Sequence, residues 1–311
     1  MKIVFLDRAT LAESVALRRP AFDHTWTDYA QTAPDQVLER LGEADIAVVN
    51  KVKLPRDILC ALPKLKMIAV TATGTDNVDL DTCRERGIEV RNVAGYAKDT
   101  VAEHTFALIL ALRRAIPGYM ADVAKGAWQA SGQFCIHTHP IKELRGSRIA
   151  IVGSGAIGQA VANIARAFGM KVAFTGRKGA TQVPEGRMPF EEALGWCDVL
   201  TLHCPLEHSN VGLLGRAEFE KMDRAPIVIN TARGGLIVED DLAAALREGL
   251  ISGAGVDAAS AEPPAADHPF MTLLDRPDFI LTPHVAWAGE AAMQTVADSV
   301  IASIEAFVEA G

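Results

Sequence analysis

Short runs of β-branched and aliphatic residues alternate with longer helical patterns along the whole chain, and this alternation constrains the fold most strongly. It is typical of βαβ units that build parallel sheets. In the first hundred residues it predicts helices between strands at residues 2–6, 46–50, 67–71 and 88–92. A second series of six strands is predicted at residues 149–152, 171–174, 199–203, 227–230, 253–256 and 279–282, which favours a doubly wound sheet.

The chain length of 311 residues corresponds to two domains at roughly 150 residues each. A long helix is predicted over residues 99–116, stopping at Pro117 and Gly118, and an amphipathic helix over residues 289–311. Residues 119–140 show no clear period, which is unusual inside a compact domain. We interpret them as an exposed arm, a candidate dimer interface.

Charge and hydropathy argue against several classes of protein. The net charge is −8 and there is no polybasic run, so we expect no nucleic-acid or anionic-membrane partner. The longest apolar stretches, such as residues 106–112, fall far short of the ~20 residues of a membrane helix. The first residues lack the apolar stretch and cleavage site of a secretory signal, which favours a cytoplasmic protein.

The five cysteines form no CxxC pair, so we expect free, mostly buried thiols in a reducing compartment. His137 and His139 lie near Cys135, but the nearest carboxylate in sequence is Glu143. This set is too small for a metal site, and we predict none.

A glycine-rich loop follows the strand at residues 149–152 and precedes a predicted helix at 159–168. Its sequence is GxGxxG, in which Gly153 permits a tight turn, Gly155 permits close approach of a pyrophosphate and Gly158 permits close packing of helix on strand. The free N–H groups of the helix N-terminus attract phosphate. We therefore predict a dinucleotide site that includes Gly153, Gly155, Ala156, Ile157 and Gly158.

The segment after the next strand indicates which dinucleotide binds. An NAD site needs an acid about 20 residues beyond the loop, yet no acid occurs between residues 169 and 184. Thr175 and Gly176 are followed instead by Arg177 and Lys178, and an arginine suits a phosphate. We favour NADP(H) held by these four residues. Solvated loop cations and an NAD(H) site are the alternatives.

Three polar residues follow strands of the second series: Arg233, Glu262 and His284. Ligands of open α/β sheets bind outside the carboxyl ends of the strands, so all three can converge on the reactive end of the dinucleotide. Reduction of a 2-oxo acid needs a proton donor, which a histidine supplies near neutral pH. Glu262 can orient the imidazole, and Arg233 can bind the substrate carboxylate.

These motifs resemble the D-isomer-specific 2-hydroxyacid dehydrogenase family, over nearly the whole chain. Its glycerate dehydrogenase and glyoxylate/hydroxypyruvate reductase branch is similar at residues 71–79, 92–96, 133–135 and 284–288. The resemblance implies that Arg233, Glu262 and His284 are catalytic and that Thr73 and Gly74 bind substrate along with Arg233 and His284. It further implies cofactor contacts from Thr100, His203, Pro205, Ala232 and Asp257.

The expected architecture is a Rossmann domain, residues 100–286, inserted into a flavodoxin-like substrate domain of residues 1–99 and 287–311. The expected reaction is reduction of hydroxypyruvate or glyoxylate to D-glycerate or glycolate with NADPH, by a homodimer. A reductase of bulkier 2-oxo acids, or one that prefers NADH, remains an alternative. A non-catalytic dinucleotide-sensing protein is a further one, which detectable turnover abolished by His284→Ala would reject.

Overall fold

The computed structural model describes residues 1–310 and contains two parallel sheets. In chain order the strands are β1 Lys2–Phe5, β2 Thr25–Asp28, β3 Ile46–Val49, β4 Met67–Val70, β5 Glu89–Asn92, β6 Arg148–Val152, β7 Lys171–Thr175, β8 Arg187–Met188, β9 Val199–Leu202, β10 Ile227–Asn230, β11 Gly253–Val256 and β12 Phe279–Leu281. The α-helices are α1 Val37–Leu41, α2 Arg56–Cys60, α3 Leu80–Arg86, α4 Lys98–Arg113, α5 Ile116–Ala124, α6 Ala127–Ser131, α7 Ala156–Ala167, α8 Phe190–Trp196, α9 Arg216–Phe219, α10 Glu239–Glu248 and α11 Glu290–Ala310. The predicted α/β class is confirmed.

The chain divides into two compact units, one of Met1–Ala97 with Ala288–Gly311 and the other of Lys98–Trp287. The first unit contains the sheet β2-β1-β3-β4-β5, which has the strand order of flavodoxin-like folds. Its central strands β3 and β4 are buried along their whole length, and a leucine- and valine-rich core packs on the sheet. The assignment of this unit to substrate binding stays a prediction.

The second unit contains the sheet β12-β11-β10-β9-β6-β7-β8, which has the Rossmann order with one added strand. Its strands β9, β10 and β11 are buried throughout because helices cover both faces. Two separate apolar clusters pack on this sheet, one with α8 and α10 and the other with α4 and α7.

The carboxyl ends of five strands of the second sheet lie in register. Val152 of β6 is opposite Leu202 of β9, and Asn230 of β10 is opposite both Leu202 and Val256 of β11. Val256 in turn is opposite Leu281 of β12. The residues that follow these five ends therefore emerge along one edge of the sheet.

Two strands of the structure, β2 and β8, were not predicted from the sequence. The segment between β1 and β3 was expected to be helical, but it contains β2, and β8 adds a seventh strand to the six expected. Both are edge strands that pair with a single neighbour, and neither contains a fully buried residue. They therefore lack the apolar pattern that marks a buried strand.

The region after α4 differs from the prediction as well. The helix ends at Arg113, Ala115 adopts the left-handed conformation, and Pro117 lies in the first turn of α5 rather than at a helix end. Proline is well suited to a first helical turn, where its missing N–H would have no partner. Residues 119–140 thus contain most of α5 and all of α6.

The sequence analysis expected no apolar stretch close to the length of a membrane helix, and the C-terminal helix corrects this expectation. Glu290–Ala310 has 21 residues and is long and apolar enough to cross a membrane by length and composition alone. It contains charged residues, so it was not found as an uninterrupted apolar run. One face, which includes Met293, Val296 and Val300, is buried within the first unit, as in the core helix of a globular domain.

Candidate active site

The glycine-rich loop connects β6 to α7 within the second unit. Gly153 has φ of 102°, and a Cβ there would lie 2.5 Å from the carbonyl oxygen of His203. A Cβ on Gly158 would overlap the carbonyl oxygen of Gly153, so both positions require glycine. Gly155 is the N-cap of α7. This helix begins at Ala156, followed by Ile157, which is three residues earlier than predicted. A Cβ on Gly155 would point into open space, and this is the space that a pyrophosphate needs.

A cavity of about 300 Å³ lies beside this loop, at the carboxyl ends of β6, β7 and β9. Its lining includes six of the residues predicted to bind the dinucleotide. These are Gly153, Thr175, Gly176, Arg177, Lys178 and Pro205. The cavity therefore brings together residues from the three separate loops that follow β6, β7 and β9.

The cations at this cavity differ in how they are held. Lys178 Nζ lies 2.9 Å from Glu218 Oε1 and donates to the carbonyl of Leu213 at 3.1 Å. Arg177 is exposed at the cavity wall. A third cation, Arg187 of β8, also lines the cavity, and its Nη2 donates to Ser154 Oγ in the glycine-rich loop at 2.6 Å.

His203 follows β9 and lies against the glycine-rich loop. Its backbone N–H donates to the carbonyl of Val152 at 2.7 Å, and its Nε2 lies 2.8 Å from Thr201 Oγ1. Burial of the imidazole lowers the pKa of His203 to about 3. The ring is therefore neutral at physiological pH, and it adds no charge to the phosphate region.

Arg233 follows β10 and is half-buried. The side chain of Asn230 holds the turn, because it donates to the carbonyl of Arg233 at 2.8 Å and accepts from the N–H of Ala232 at 3.1 Å. A Cβ on the next residue, Gly234, would overlap the backbone of Ala259. The turn that carries Arg233 thus packs directly on the segment that leads to Glu262.

His284 and Glu262 are hydrogen-bonded to each other beyond the ends of β12 and β11. Nδ1 of His284 lies 2.7 Å and 2.8 Å from the two carboxylate oxygens of Glu262. His284 has φ of 54°, an uncommon conformation for a residue with a side chain, and its N–H donates to the carbonyl of Thr282 across Pro283 at 3.0 Å. Because Glu262 binds Nδ1, Nε2 is the ring nitrogen that can serve a substrate.

Asp257, at the end of β11, anchors the His284 loop. Its Oδ1 accepts from the hydroxyl of Thr282 at 2.5 Å and from the N–H of Val285 at 2.9 Å, while Oδ2 accepts from the N–H of Ala286 at 2.8 Å. The carboxylate is buried, so these bonds define the conformation of the loop. The expected cofactor contact of Asp257 is untested, but its hydrogen bonds serve the loop.

Helix α4 supports the same loop. Nε2 of His104 lies 3.1 Å from Thr282 Oγ1, and the hydroxyl of Thr100 donates to the carbonyl of Ala286 at 3.3 Å. Thr100 was expected near the cofactor, whereas His104 was not singled out. The helical pattern of α4 does not indicate that the side chain of His104 contacts the residue after β12, because that contact depends on how the two elements pack.

A second anchor holds the segment before Glu262. The carboxylate of Glu239, at the start of α10, accepts from the N–H and hydroxyl of Ser260 at 2.7 and 2.5 Å. His268 Nε2 lies 2.9 Å from the same carboxylate. Glu239 and His268 are nearly buried, so the pair fixes both ends of the Glu262 loop. The sequence gave no signal for this cluster.

Comparisons with known proteins agree on one family. The description "D-isomer specific 2-hydroxyacid dehydrogenase, NAD binding domain" matches residues 106–286. A glycerate dehydrogenase of Methylorubrum extorquens is 45% identical over 309 residues, which are 99% of this chain and 96% of that protein. A putative 2-hydroxyacid dehydrogenase of Haemophilus influenzae is 43% identical over 310 residues, 99% and 98% of the two chains.

The chain belongs to the D-isomer-specific 2-hydroxyacid dehydrogenase family. It is therefore an oxidoreductase with a nicotinamide dinucleotide cofactor. The solved structure of an NADPH-dependent glyoxylate/hydroxypyruvate reductase from Sinorhizobium meliloti superposes with a TM-score of 0.83 at 26% identity, covering 99% of this chain and 94% of that one. The predicted family and fold are confirmed.

The remaining predicted residues of this dehydrogenase lie in the first unit. Thr73 and Gly74 follow β4, and the hydroxyl of Thr73 donates to the carbonyl of Val93 at 2.8 Å. Asn92 Nδ2 donates to the carbonyl of Thr73 at 2.5 Å, so the turn is held from β5. Their role in binding substrate stays a prediction.

The cysteines and the histidine pair of the dehydrogenase differ from one another in environment. All five thiols are free. Cys83 and Cys197 are buried and Cys204 is partly buried, whereas Cys60 and Cys135 are exposed, so the expected burial does not hold for these two. Nε2 of His137 lies 3.4 Å from Cys135 Sγ, whereas His139 pairs with Asp122 at 3.1 Å. Within residues 1–310 no group of three or more His, Cys, Asp or Glu side chains could hold a metal ion.

Proposed function

We propose that this dehydrogenase reduces hydroxypyruvate and glyoxylate to D-glycerate and glycolate, with NADPH preferred over NADH. The observation that carries the proposal is the His284–Glu262 pair, which lies along the same sheet edge as the glycine-rich loop. Two similar proteins bear the relevant names, a glycerate dehydrogenase and a hydroxypyruvate reductase of Blautia hydrogenotrophica that is 35% identical.

The dinucleotide fits the residues present. The open space at Gly155, the helix N-terminus at Ala156 and the cavity beside Thr175 and Gly176 are the features that its phosphates and ribose need. The proposed contact set is completed by Thr100, Ile157, His203, Pro205, Ala232 and Asp257. When bound, the reduced nicotinamide supplies the hydride for the carbonyl carbon of the substrate.

The protein supplies orientation and the proton. We assign Arg233 to the substrate carboxylate, since a guanidinium donates paired hydrogen bonds to such a group and polarises the adjacent carbonyl. Nε2 of His284 donates a proton to the carbonyl oxygen as the alcohol forms. Glu262 accepts from Nδ1, which fixes the ring orientation and leaves Nε2 directed to the substrate. Thr73 and Gly74 are assigned to the substrate carboxylate through their backbone amides.

NADPH preference follows from charge. The segment after β7 carries Arg177 and Lys178 where NAD enzymes place a carboxylate. A carboxylate there would bind the ribose hydroxyl and repel a 2′-phosphate, whereas cations attract it. The family description itself names NAD, so NADH is the competing cofactor.

We further propose a cytoplasmic homodimer. Residues 116–134, which contain α5 and α6, expose large apolar side chains, with Met120 67% and Phe134 93% accessible. Such a surface is suited to a second copy of the chain. The free thiols, including exposed Cys60 and Cys135, fit a reducing compartment.

Initial rates test the reaction. Hydroxypyruvate, glyoxylate and pyruvate are each supplied at several concentrations with NADPH or with NADH. The proposal expects the highest kcat/KM for hydroxypyruvate or glyoxylate with NADPH. A higher value for pyruvate would overturn the substrate assignment, and a preference for NADH would overturn the cofactor assignment alone.

A further inference from the structure

The strand β8 places an arginine beside the predicted 2′-phosphate position, although the chain reaches that strand nine residues after Lys178. Arg187 is opposite Phe174 in the β7–β8 pair, next to the carboxyl end of β7. The N–H of Gly176 donates to the carbonyl of Met188 at 2.8 Å, which ties the start of the phosphate segment to the same strand. Arg187 and Arg177 both line the cavity.

The side chain of Arg187 crosses to the glycine-rich loop. Its Nη2 donates to Ser154 Oγ at 2.6 Å, so the guanidinium lies between the loop that receives the pyrophosphate and the segment that follows β7. In Rossmann folds the ribose nearest the adenine lies between these two elements. The exposed guanidinium retains further N–H groups for a ligand, because it has five donors.

Lys178 is less available than its position in the sequence suggests. Its ammonium is shared between the buried carboxylate of Glu218 and the carbonyl of Leu213. Recruiting it to a phosphate would leave Glu218, whose side chain is 8% exposed, without its cation. Separating a largely buried carboxylate from its partner is costly.

We propose that Arg187 acts with Arg177 to bind the 2′-phosphate of NADP(H), and that Lys178 instead anchors the segment to Glu218. The lining of the cavity contains one acidic residue, Glu207, and three basic residues, so positive charge predominates there. A second guanidinium allows the phosphate to accept charge-assisted hydrogen bonds from two directions. This inference rests on the proposed NADP(H) preference, and it names the residues that create it.

The test measures binding of two fragments to the purified full-length protein by titration calorimetry. Adenosine 2′,5′-bisphosphate carries the 2′-phosphate, and 5′-AMP lacks it. We expect Arg187→Gln and Arg177→Gln each to weaken the bisphosphate about tenfold or more while 5′-AMP changes less than about twofold. An unchanged affinity ratio in Arg187→Gln would overturn the inference.

Three further variants make the result specific. Arg166→Gln removes a guanidinium from α7 that bonds to Asn163 outside the cavity, and it should keep the wild-type affinity ratio. Ser154→Ala removes the hydrogen bond but keeps the charge, so it should retain the preference. An equal loss in Ser154→Ala and Arg187→Gln would mean that loop order, not charge, sets the ratio, and would overturn the assignment. Lys178→Gln should lower the preference less than Arg187→Gln, and the opposite order would restore Lys178 as the phosphate ligand.

Failure of this inference and failure of the proposed function give different results. If the protein turns over hydroxypyruvate with NADH and binds 5′-AMP as tightly as the bisphosphate, the reductase assignment stands and the Arg187 assignment falls. If no 2-oxo acid is reduced, the calorimetric ratio still decides whether Arg187 recognises the 2′-phosphate.

Discussion

Nδ1 of His284 lies 2.7 Å from one carboxylate oxygen of Glu262 and 2.8 Å from the other, although the two residues are 22 positions apart and follow different strands. Asp257 fixes the loop of His284, and Glu239 fixes the segment that leads to Glu262. The proton donor and the group that orients it are therefore positioned by two independent anchors.

The pair should behave as one unit in catalysis. We expect His284→Asn to lower kcat about 10²- to 10⁴-fold, the contribution typical of a positioned proton donor. Glu262→Gln should lower it less alone and have little further effect in the double variant, because its role is exerted through His284. Steady-state rates of the four proteins provide the cycle, and fluorescence titration of NADPH checks that cofactor binding persists. Additive losses would show that Glu262 acts independently of His284.

Removal of the Asp257 charge should destabilise the fold as well as the site. Asp257→Asn weakens or breaks buried bonds to Thr282, Val285 and Ala286, and we expect the free energy of unfolding to fall by about 1–3 kcal/mol. Asp278→Asn is the matched control, since Asp278 makes a partly exposed ion pair with Arg276 and should cost less than about 1 kcal/mol. Urea unfolding measures both. Equal losses would contradict the anchoring role of Asp257.

His203 should make stability depend on pH in a defined window. Its pKa is about 3 in the folded protein, below the ordinary value of 6.5, because burial disfavours the charged ring. Below pH 6.5 the unfolded chain takes up a proton that the folded protein refuses, so stability falls as the pH falls toward 3. The slope contributed by this half-buried residue is at most about 1.4 kcal/mol per pH unit.

Urea unfolding of the wild type and His203→Gln at pH 7.5, 6 and 5 checks this expectation. The difference in unfolding free energy between the two proteins should be constant above pH 6.5 and should shift in favour of the variant as the pH falls. Curves that stay parallel down to pH 5 would show that the imidazole accepts a proton in the folded state.

The exposed apolar surface of residues 116–134 should control oligomeric state. Phe134→Glu places a charge at a side chain that is 93% exposed, and we expect it to weaken the dimer at least tenfold by preventing apolar burial. Val211→Glu is the matched control, because Val211 is 63% exposed outside this region. Sedimentation velocity at several concentrations distinguishes them. A monomeric wild type, or a Phe134→Glu protein that dimerises normally, would contradict the proposed interface.

Local sequence patterns determined the cores of both sheets and the glycine-rich loop. Strands buried on both faces must be continuous apolar runs, and the bounds of β10 and β11 agree with the prediction residue for residue. A side chain at Gly153 would clash with the backbone of His203, and one at Gly158 would clash with the carbonyl of Gly153. Because these close contacts require glycine at two fixed positions, the GxGxxG spacing identifies the loop in the sequence. Family resemblance, in turn, identified the set Arg233, Glu262 and His284.

Only the tertiary structure decided which side chains meet. Edge strand β8 is two residues long and pairs with β7, so it has no apolar pattern from which it could be predicted. The position of Arg187 at the cavity could therefore not be predicted either. Lys178 and Glu218 are 40 positions apart, and His104 meets Thr282 from a different element. Such partnerships depend on the packing of distant segments. The sequence therefore determined where the chain builds its site, and the fold determined which charges are available there.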